Sequence, residues 1–301
     1  MTQPVIPGIH HITAISGPAQ ANVDFYTGTL GQRLVKKTVN FDAPDTYHLY
    51  YGDRVGSPGT ILTFFPFADA APGRAGPGMA SAFAYALAKG GLDAWIDRMD
   101  PRASDLTERF GQRVLTLRDP DGMPVEMVET DLADAPQGFH SVTLWLRDIA
   151  PTARLLTGVF GYRETGHEVQ NGVERLRLTA PGAERGNIID LIRSEGAALA
   201  RPGAGTIHHV AFRARSDEEQ RKWQEVLAAH GQRTTPVIDR QYFNAIYFRE
   251  PGGVLFEIAT DPPGFAVDEP VETLGQALKL PPKYEPMRER LTRVLPPLRV
   301  A

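Results

Sequence analysis

Four stretches of the chain open on short runs in which apolar and β-branched positions crowd or alternate: GIHHITAI (Gly8–Ile15), SAFAYALA (Ser81–Ala88), GFHSVTLW (Gly138–Trp145) and TIHHVAFRA (Thr206–Ala214). That pattern predicts strands. A helical period follows. Within Pro18–Leu30, Val23, Tyr26 and Leu30 fall on one face, and within Asp148–Gly161 so do Ile149, Ala153, Leu156 and Phe160. Ser216 and Asp217 offer an N-cap for a helix through Leu227, and Gly231 ends it. Strand-like runs come next, such as Tyr47–Tyr51 and Thr60–Phe65. Two segments close their stretches in the same way, RDPDGMPVEMVETD (Arg118–Asp131) and REPGGVLFEIATDP (Arg249–Pro262). Each reads as a strand end, a Pro/Gly turn and an apolar strand with one central acid, Glu126 or Glu257.

The chain therefore repeats itself, in units over about 8–67, 80–131, 138–194 and 205–261, each with the order βαβββ. An α+β protein is expected, with one pair of units in 1–134, a second pair in 135–262 and a Pro-rich arm over 263–301 that carries one helix around Pro286–Leu295.

Composition narrows the chemistry. A net charge of −4 with scattered basic residues argues against nucleic acid or an anionic membrane as partner. The chain has no cysteine, which excludes disulfides, iron–sulfur clusters, thiolate zinc sites and a cysteine nucleophile. Any metal must sit on nitrogen and oxygen ligands, which suits Fe(II), Mn(II), Ni(II) or Zn(II). Met1–Gly8 lacks the basic and apolar regions of a signal peptide, and no apolar run reaches membrane-spanning length, so a cytoplasmic address is expected. P-loop, GxGxxG, HExxH and GxSxG motifs are absent.

Paired βαβββ units with ligands on their first and last strands resemble the vicinal oxygen chelate superfamily over nearly the whole chain. The resemblance implies two barrel-like cups, each built from two units, with four strand positions pointing into each cup. Aligned by the repeats, the opening strands offer His11, Ala82, Ser141 and His209, and the closing strands offer Thr63, Glu126, Asp190 and Glu257. Units one and two would supply one His and one Glu. Units three and four would supply Ser141, Asp190, His209 and Glu257, again with one imidazole. Units one and four supply His11, His209 and Glu257 with a non-ligating Thr63, the two-His-one-carboxylate set of non-haem Fe(II) oxygenases. Modules 1 and 4 are thus expected to pair around the metal. Successive strand side chains face opposite ways, so His10 and His11 cannot both enter the cup, nor can His208 and His209.

Longer segments are similar to the hydroquinone-type ring-cleaving dioxygenases: Gly8–Asp53, TIHHVAFR, DRQYFNAIYFREPGGVLFEIATD and the LPPKYEPMRERL tail. This resemblance implies His11, His209 and Glu257 as ligands of Fe(II), with Mn(II) as the alternative metal. It places His10, Thr13, His208, Arg240 and Tyr247 among pocket and supporting groups. A Tyr or His there can move a proton, and Arg240 can hold anionic charge. Arg240 reads equally well as a structural ion pair with a carboxylate such as Asp239 or Glu250. Tyr247 faces away from Glu257 if the hairpin loop has four residues, and towards it if a Gly bulge intervenes. Phe41, Tyr47, Phe64 and Phe243 are candidates for an arene slot. The expected reaction is O2-dependent cleavage of a substituted hydroquinone. The alternatives are an extradiol catechol dioxygenase, a glyoxalase-like isomerase or lyase, and a metal-free binding protein on the same fold. Expected partners are a small aromatic and O2, with no nucleic acid and no membrane; self-association into a homo-oligomer stays open.

Overall fold

The computed structural model describes residues 5–98, 104–131 and 138–300. The first unit runs β1 (Ile9–Ser16), α1 (Ala19–Val23) continued as a π-helix over Asp24–Thr29, β2 (Arg33–Val39), β3 (Tyr47–Gly52) and β4 (Ile61–Pro66). The second runs β5 (Met79–Leu87), α2 (Gly91–Arg98), β6 (Ser104–Arg109), β7 (Gln112–Arg118) and β8 (Pro124–Glu129). The third runs β9 (Phe139–Trp145), α3 (Ile149–Gly158), β10 (Arg163–Gln170), β11 (Val173–Thr179) and β12 (Ile188–Ser194). The fourth runs β13 (Thr206–Ala214), α4 (Asp217–Ala229), β14 (Ile238–Asp239), β15 (Phe243–Arg249) and β16 (Leu255–Pro263). A largely irregular arm follows, with α5 (Arg288–Val294) near its end. The division expected at 134/135 lies outside the described residues.

Local chemistry sets the helix starts. Asp148 Oδ1 accepts from the Ala150 amide at 3.0 Å, and Ser216 Oγ accepts from the Glu219 amide at 3.2 Å. These bonds satisfy amides that the first turn leaves free. Asp217, Glu218 and Glu219 place negative charge at the positive end of α4, and Gly231 leaves the helix with φ +75°. The periodic apolar positions are the buried ones: Val23, Tyr26 and Leu30 under the first helix, Ile149, Ala153, Leu156 and Phe160 under α3.

The strands form two eight-stranded sheets, ordered β14-β15-β16-β13-β1-β4-β3-β2 and β10-β11-β12-β9-β5-β8-β7-β6. Units one and four therefore share one sheet, and units two and three share the other, as the choice of ligands required. The joins are antiparallel, β1 with β13 and β5 with β9. Within each unit the closing strand lies parallel to the opening one in a single register: Thr63 opposite Thr13, Glu126 opposite Ala84, Asp190 opposite Thr143 and Glu257 opposite Ala211. Each closing corner thus faces the residue two places after its opening corner.

Units adjacent in sequence are stitched differently. Asp119, at the turn of the second unit, accepts from the Asp121 and Met123 amides and from Tyr26 Oη at 3.1 Å. Glu250, its counterpart in the fourth, accepts from the Val254 amide and from Thr152 Oγ1 at 2.6 Å. Each buried acid caps its own turn and grips the helix of the preceding unit. The remaining carboxylate capacity is filled rather than left unpaired in the core.

Candidate metal centre

β1 and β13 lie side by side at the middle of the first sheet, and β16 lies beside β13, so His11, His209 and Glu257 converge on its concave face. All three are buried. His11 Nε2 lies 3.3 Å from His209 Nε2 and 3.3 Å from Glu257 Oε2, while His209 Nε2 lies 2.9 Å from that oxygen. Among the described residues they form a group of potential ligands whose donor atoms all lie within 4.8 Å of one another.

The donor atoms crowd one small volume, and the two imidazole nitrogens are within hydrogen-bond reach of each other. Neither Glu257 oxygen has a hydrogen-bond partner of acceptable geometry, despite the close imidazole nitrogens. A fully buried carboxylate left this way is costly unless positive charge faces it. Burial pushes the Glu257 carboxyl up, but His11 first and then His209 outweigh it and hold the group well below the usual carboxylate range. The donor set and the orphaned carboxylate fit a divalent cation.

The far nitrogens are arranged to match. His11 Nδ1 lies 2.9 Å from His10 Nδ1, and His209 Nδ1 lies 2.8 Å from His208 Nδ1. If each inner ring offers an Nε2 lone pair, its proton sits on Nδ1 and is donated to the neighbour's Nδ1. That neighbour must then be neutral. Burial, helped by His11, pushes the His10 imidazole well below its ordinary range, and its other nitrogen donates to the Thr260 carbonyl. Burial also pushes His208 down to about 4. His10 is sealed in the core, whereas His208 is exposed and lines the adjoining cavity.

That cavity has a volume of about 530 Å³. Its walls bring together His11, Thr13, His208, His209, Arg240 and Tyr247. Tyr247 pairs directly with Glu257, and Arg249 pairs with Leu255, so the intervening loop is the five residues 250–254 with Gly253 at φ +95°. The bulged alternative is the one realised, and Tyr247 faces the cup. Arg240 Nε donates to Tyr247 Oη at 3.1 Å, and its Nη1 donates to Asp42 Oδ2 at 3.0 Å. Asp42, rather than Asp239 or Glu250, is thus its carboxylate. Burial, with Glu257 nearby, keeps the Tyr247 hydroxyl protonated far above its ordinary range, so it accepts from Arg240 and retains a proton to give.

The arene slot differs from the expectation. Phe41 and Phe243 line the cavity, together with Phe65 and Phe67, but Tyr47 and Phe64 do not. Thr63 faces the cup, so alternation turns Phe64 outwards, where it packs on Tyr26 at 4.7 Å. Tyr47 donates to the Pro296 carbonyl at 2.9 Å and anchors the arm. His48 and Tyr50, one face over on β3, line the cavity instead and were missed. Their spacing of two opposite Thr63 was the available signal.

A model of the Glyoxalase/Bleomycin resistance protein/Dioxygenase superfamily matches residues 8–127 and 138–258. The chain belongs to this superfamily. It is 46% identical over 308 aligned residues to "Putative ring-cleaving dioxygenase MhqO" of Bacillus subtilis (strain 168), covering 97% of both chains. It is also 34% identical over 313 aligned residues to a chlorohydroquinone/hydroquinone 1,2-dioxygenase of Sphingobium indicum, covering 96% of both. A crystal structure described as that of a "putative dioxygenase from Bacillus subtilis" superposes with a TM-score of 0.92 at 45% identity, covering 100% of this chain and 99% of that one. The two half-barrel sheets are thus the superfamily's arrangement of paired modules, with the His/His/Glu group in the cup formed by units one and four.

Proposed function

We propose that the protein is a non-haem Fe(II)-dependent dioxygenase that opens the ring of a substituted hydroquinone with O2, acting in the cytoplasm. The observation that carries this reading is a buried His11/His209/Glu257 group at one wall of an apolar, aromatic-lined cavity that also presents Arg240 and Tyr247. The relatives' names point the same way. A ferrous ion held by these three side chains would bind an aromatic oxygen and O2 and would carry electrons between them.

The chain's own residues account for the rest. Phe41, Phe65 and Phe243 give the ring an apolar slot that excludes water. A hydroquinone offers only one oxygen to the metal, so other contacts must orient the ring. Tyr247 Oη, polarised by Arg240, is placed to donate a hydrogen bond to an anionic oxygen. His10 and His208 fix the inner imidazoles in the tautomer that binds metal. A four-ligand isomerase site is disfavoured because the fourth corner is Thr63, whose hydroxyl is engaged by Thr13 and His48. No helix among the described residues is long and apolar enough to cross a membrane.

The test is oxygen uptake by protein loaded anaerobically with Fe(II), given matched hydroquinones and catechols. The proposal expects the higher kcat/KM with a hydroquinone. Preference for catechol, or no uptake with either, overturns it.

A further inference from the structure

Thr63 occupies the fourth corner of the metal-facing cup and yet does not line the cavity. Its hydroxyl lies 2.8 Å from Thr13 Oγ1 and 2.9 Å from His48 Nε2. His48 Nδ1 in turn lies 2.8 Å from Tyr50 Oη. The four groups form one unbroken file, Tyr50–His48–Thr63–Thr13. Both ends open on the same cavity, while Thr63 is fully buried beneath it. Thr13 pairs with His209 across β1 and β13, so one end stands beside the metal centre. The other stands at Tyr50, on the neighbouring strand β3.

Hydrogen counting gives the file its character. A neutral imidazole has one donor and one acceptor nitrogen, and each hydroxyl has one donor. Burial keeps His48 neutral by pushing it well below its ordinary range. Two arrangements in which every bond runs the same way then satisfy each link. In one, Tyr50 donates to His48 Nδ1, His48 Nε2 donates to Thr63, Thr63 donates to Thr13, and Thr13 has a proton left for the cavity. In the other every bond is reversed, and Tyr50 holds the spare proton.

We propose that Tyr50, His48, Thr63 and Thr13 are a proton relay serving the metal-facing cavity, with Thr63 as its buried hub. This rests on the dioxygenase reading for its substrate, an aromatic hydroxyl. A proton leaving that hydroxyl joins Tyr50 Oη; the Tyr50 proton passes to His48 Nδ1, the His48 Nε2 proton to Thr63 Oγ1, and the Thr63 proton to Thr13 Oγ1. The Thr13 proton is released beside the metal centre. One proton enters, one leaves, no electron moves, and the file is left in its reversed arrangement. A proton entering at Thr13 resets it.

Thr63→Val is the decisive substitution, because it is nearly isosteric, cuts the file at its centre and touches no substrate. Two readouts are taken. In the protein loaded with diamagnetic Zn2+, NMR measures exchange of the His48 ring proton with solvent. In the Fe(II)-loaded protein, oxygen uptake gives kcat and KM. The relay predicts that Thr63→Val slows ring-proton exchange and lowers kcat, each by at least about tenfold, with KM for the aromatic within about twofold. Thr63→Ser restores both to within about threefold. Should Thr63→Val not fold, Tyr50→Phe removes one end of the file and predicts the same two losses. Unchanged exchange in the variant that folds, or loss of kcat that Thr63→Ser does not restore, overturns the relay. Absence of oxygen uptake by the wild type overturns the dioxygenase reading instead, and proton exchange at His48 then decides the relay alone.

Discussion

The cup of units one and four and the cup of units two and three share strand order, register and four inward corners, and they part company at what faces those corners. In the first, the corners are His11, Thr63, His209 and Glu257, and the carboxylate is left without a hydrogen-bond partner in the core. In the second, the corners are Ala82, Glu126, Ser141 and Asp190, and arginine answers each acid. Arg109 Nη1 and Nη2 reach Glu126 at 2.8 and 2.6 Å. Arg177 Nε and Nη2 reach Asp190 at 2.8 and 2.9 Å, and Arg175 adds a third cation at 3.3 Å. Bidentate guanidinium pairs satisfy the carboxylates that a metal would need. The same scaffold therefore carries one cup whose charges are neutralised within the protein and one candidate binding cup in which a carboxylate is left without a hydrogen-bond partner.

The largest expected effect on the second cup comes from unpairing it. Arg177→Ala takes the bidentate partner from buried Asp190, leaving it only the longer 3.3 Å contact with Arg175, and removes a cation packed 4.2 Å over Phe110. Urea denaturation should record a loss of about 3–5 kcal/mol, the usual result of removing one partner of a buried pair, with metal content unchanged. A loss under about 1 kcal/mol would mean the pair is no more than a surface bridge.

Acid should find the same cup. Burial first, and Arg177 second, push the His140 imidazole down to about 4. Below the ordinary value near 6.5 the unfolded chain binds a proton that the native chain refuses until about 4. Stability at this site is full above that window and falls by about 3 kcal/mol as pH drops through it. His140→Gln should flatten the pH dependence of unfolding between those limits. An unchanged slope would remove His140 as the cause.

In the first cup the effects fall on turnover instead. Tyr247→Phe removes a donor and leaves the three candidate ligands in place, so kcat should fall by about a hundredfold while metal analysis stays at the wild-type value. Asp42→Ala should do least. Its carboxylate is 76% exposed, so its pair with Arg240 is screened, and KM for the aromatic should rise by no more than about fivefold. A larger rise would make Asp42 a direct substrate contact.

Much of this contrast was legible in the sequence because it rests on period and register. The Pro/Gly turns before Glu126 and Glu257 exposed the repeat, and the repeat aligned the four corners of each cup. Alternation then separated His11 from His10, which is sealed in the core, but the same expectation fails for the second pair, because His208 lines the cavity together with His209. The same rule, applied to Thr63, would have excluded Phe64 from the arene slot and selected His48 and Tyr50. Long-range pairing was not legible. Asp42 meets Arg240 across 198 residues of chain, and Arg109 reaches Glu126 from β6, past the intervening β7, by a curl that no local pattern specifies. Period gives the face of a strand; only the closed sheet says what stands opposite.

The claim that one cup binds and the other is filled is tested most directly by counting metal. Elemental analysis of protein reconstituted with Fe(II) and freed of excess should give about one ion per chain, since the described residues present one converging ligand group. His11→Ala should bring that value near zero, and Glu126→Gln should leave it at about one. Two ions per chain in the wild type, or metal retained by His11→Ala and lost from Glu126→Gln, would contradict the account.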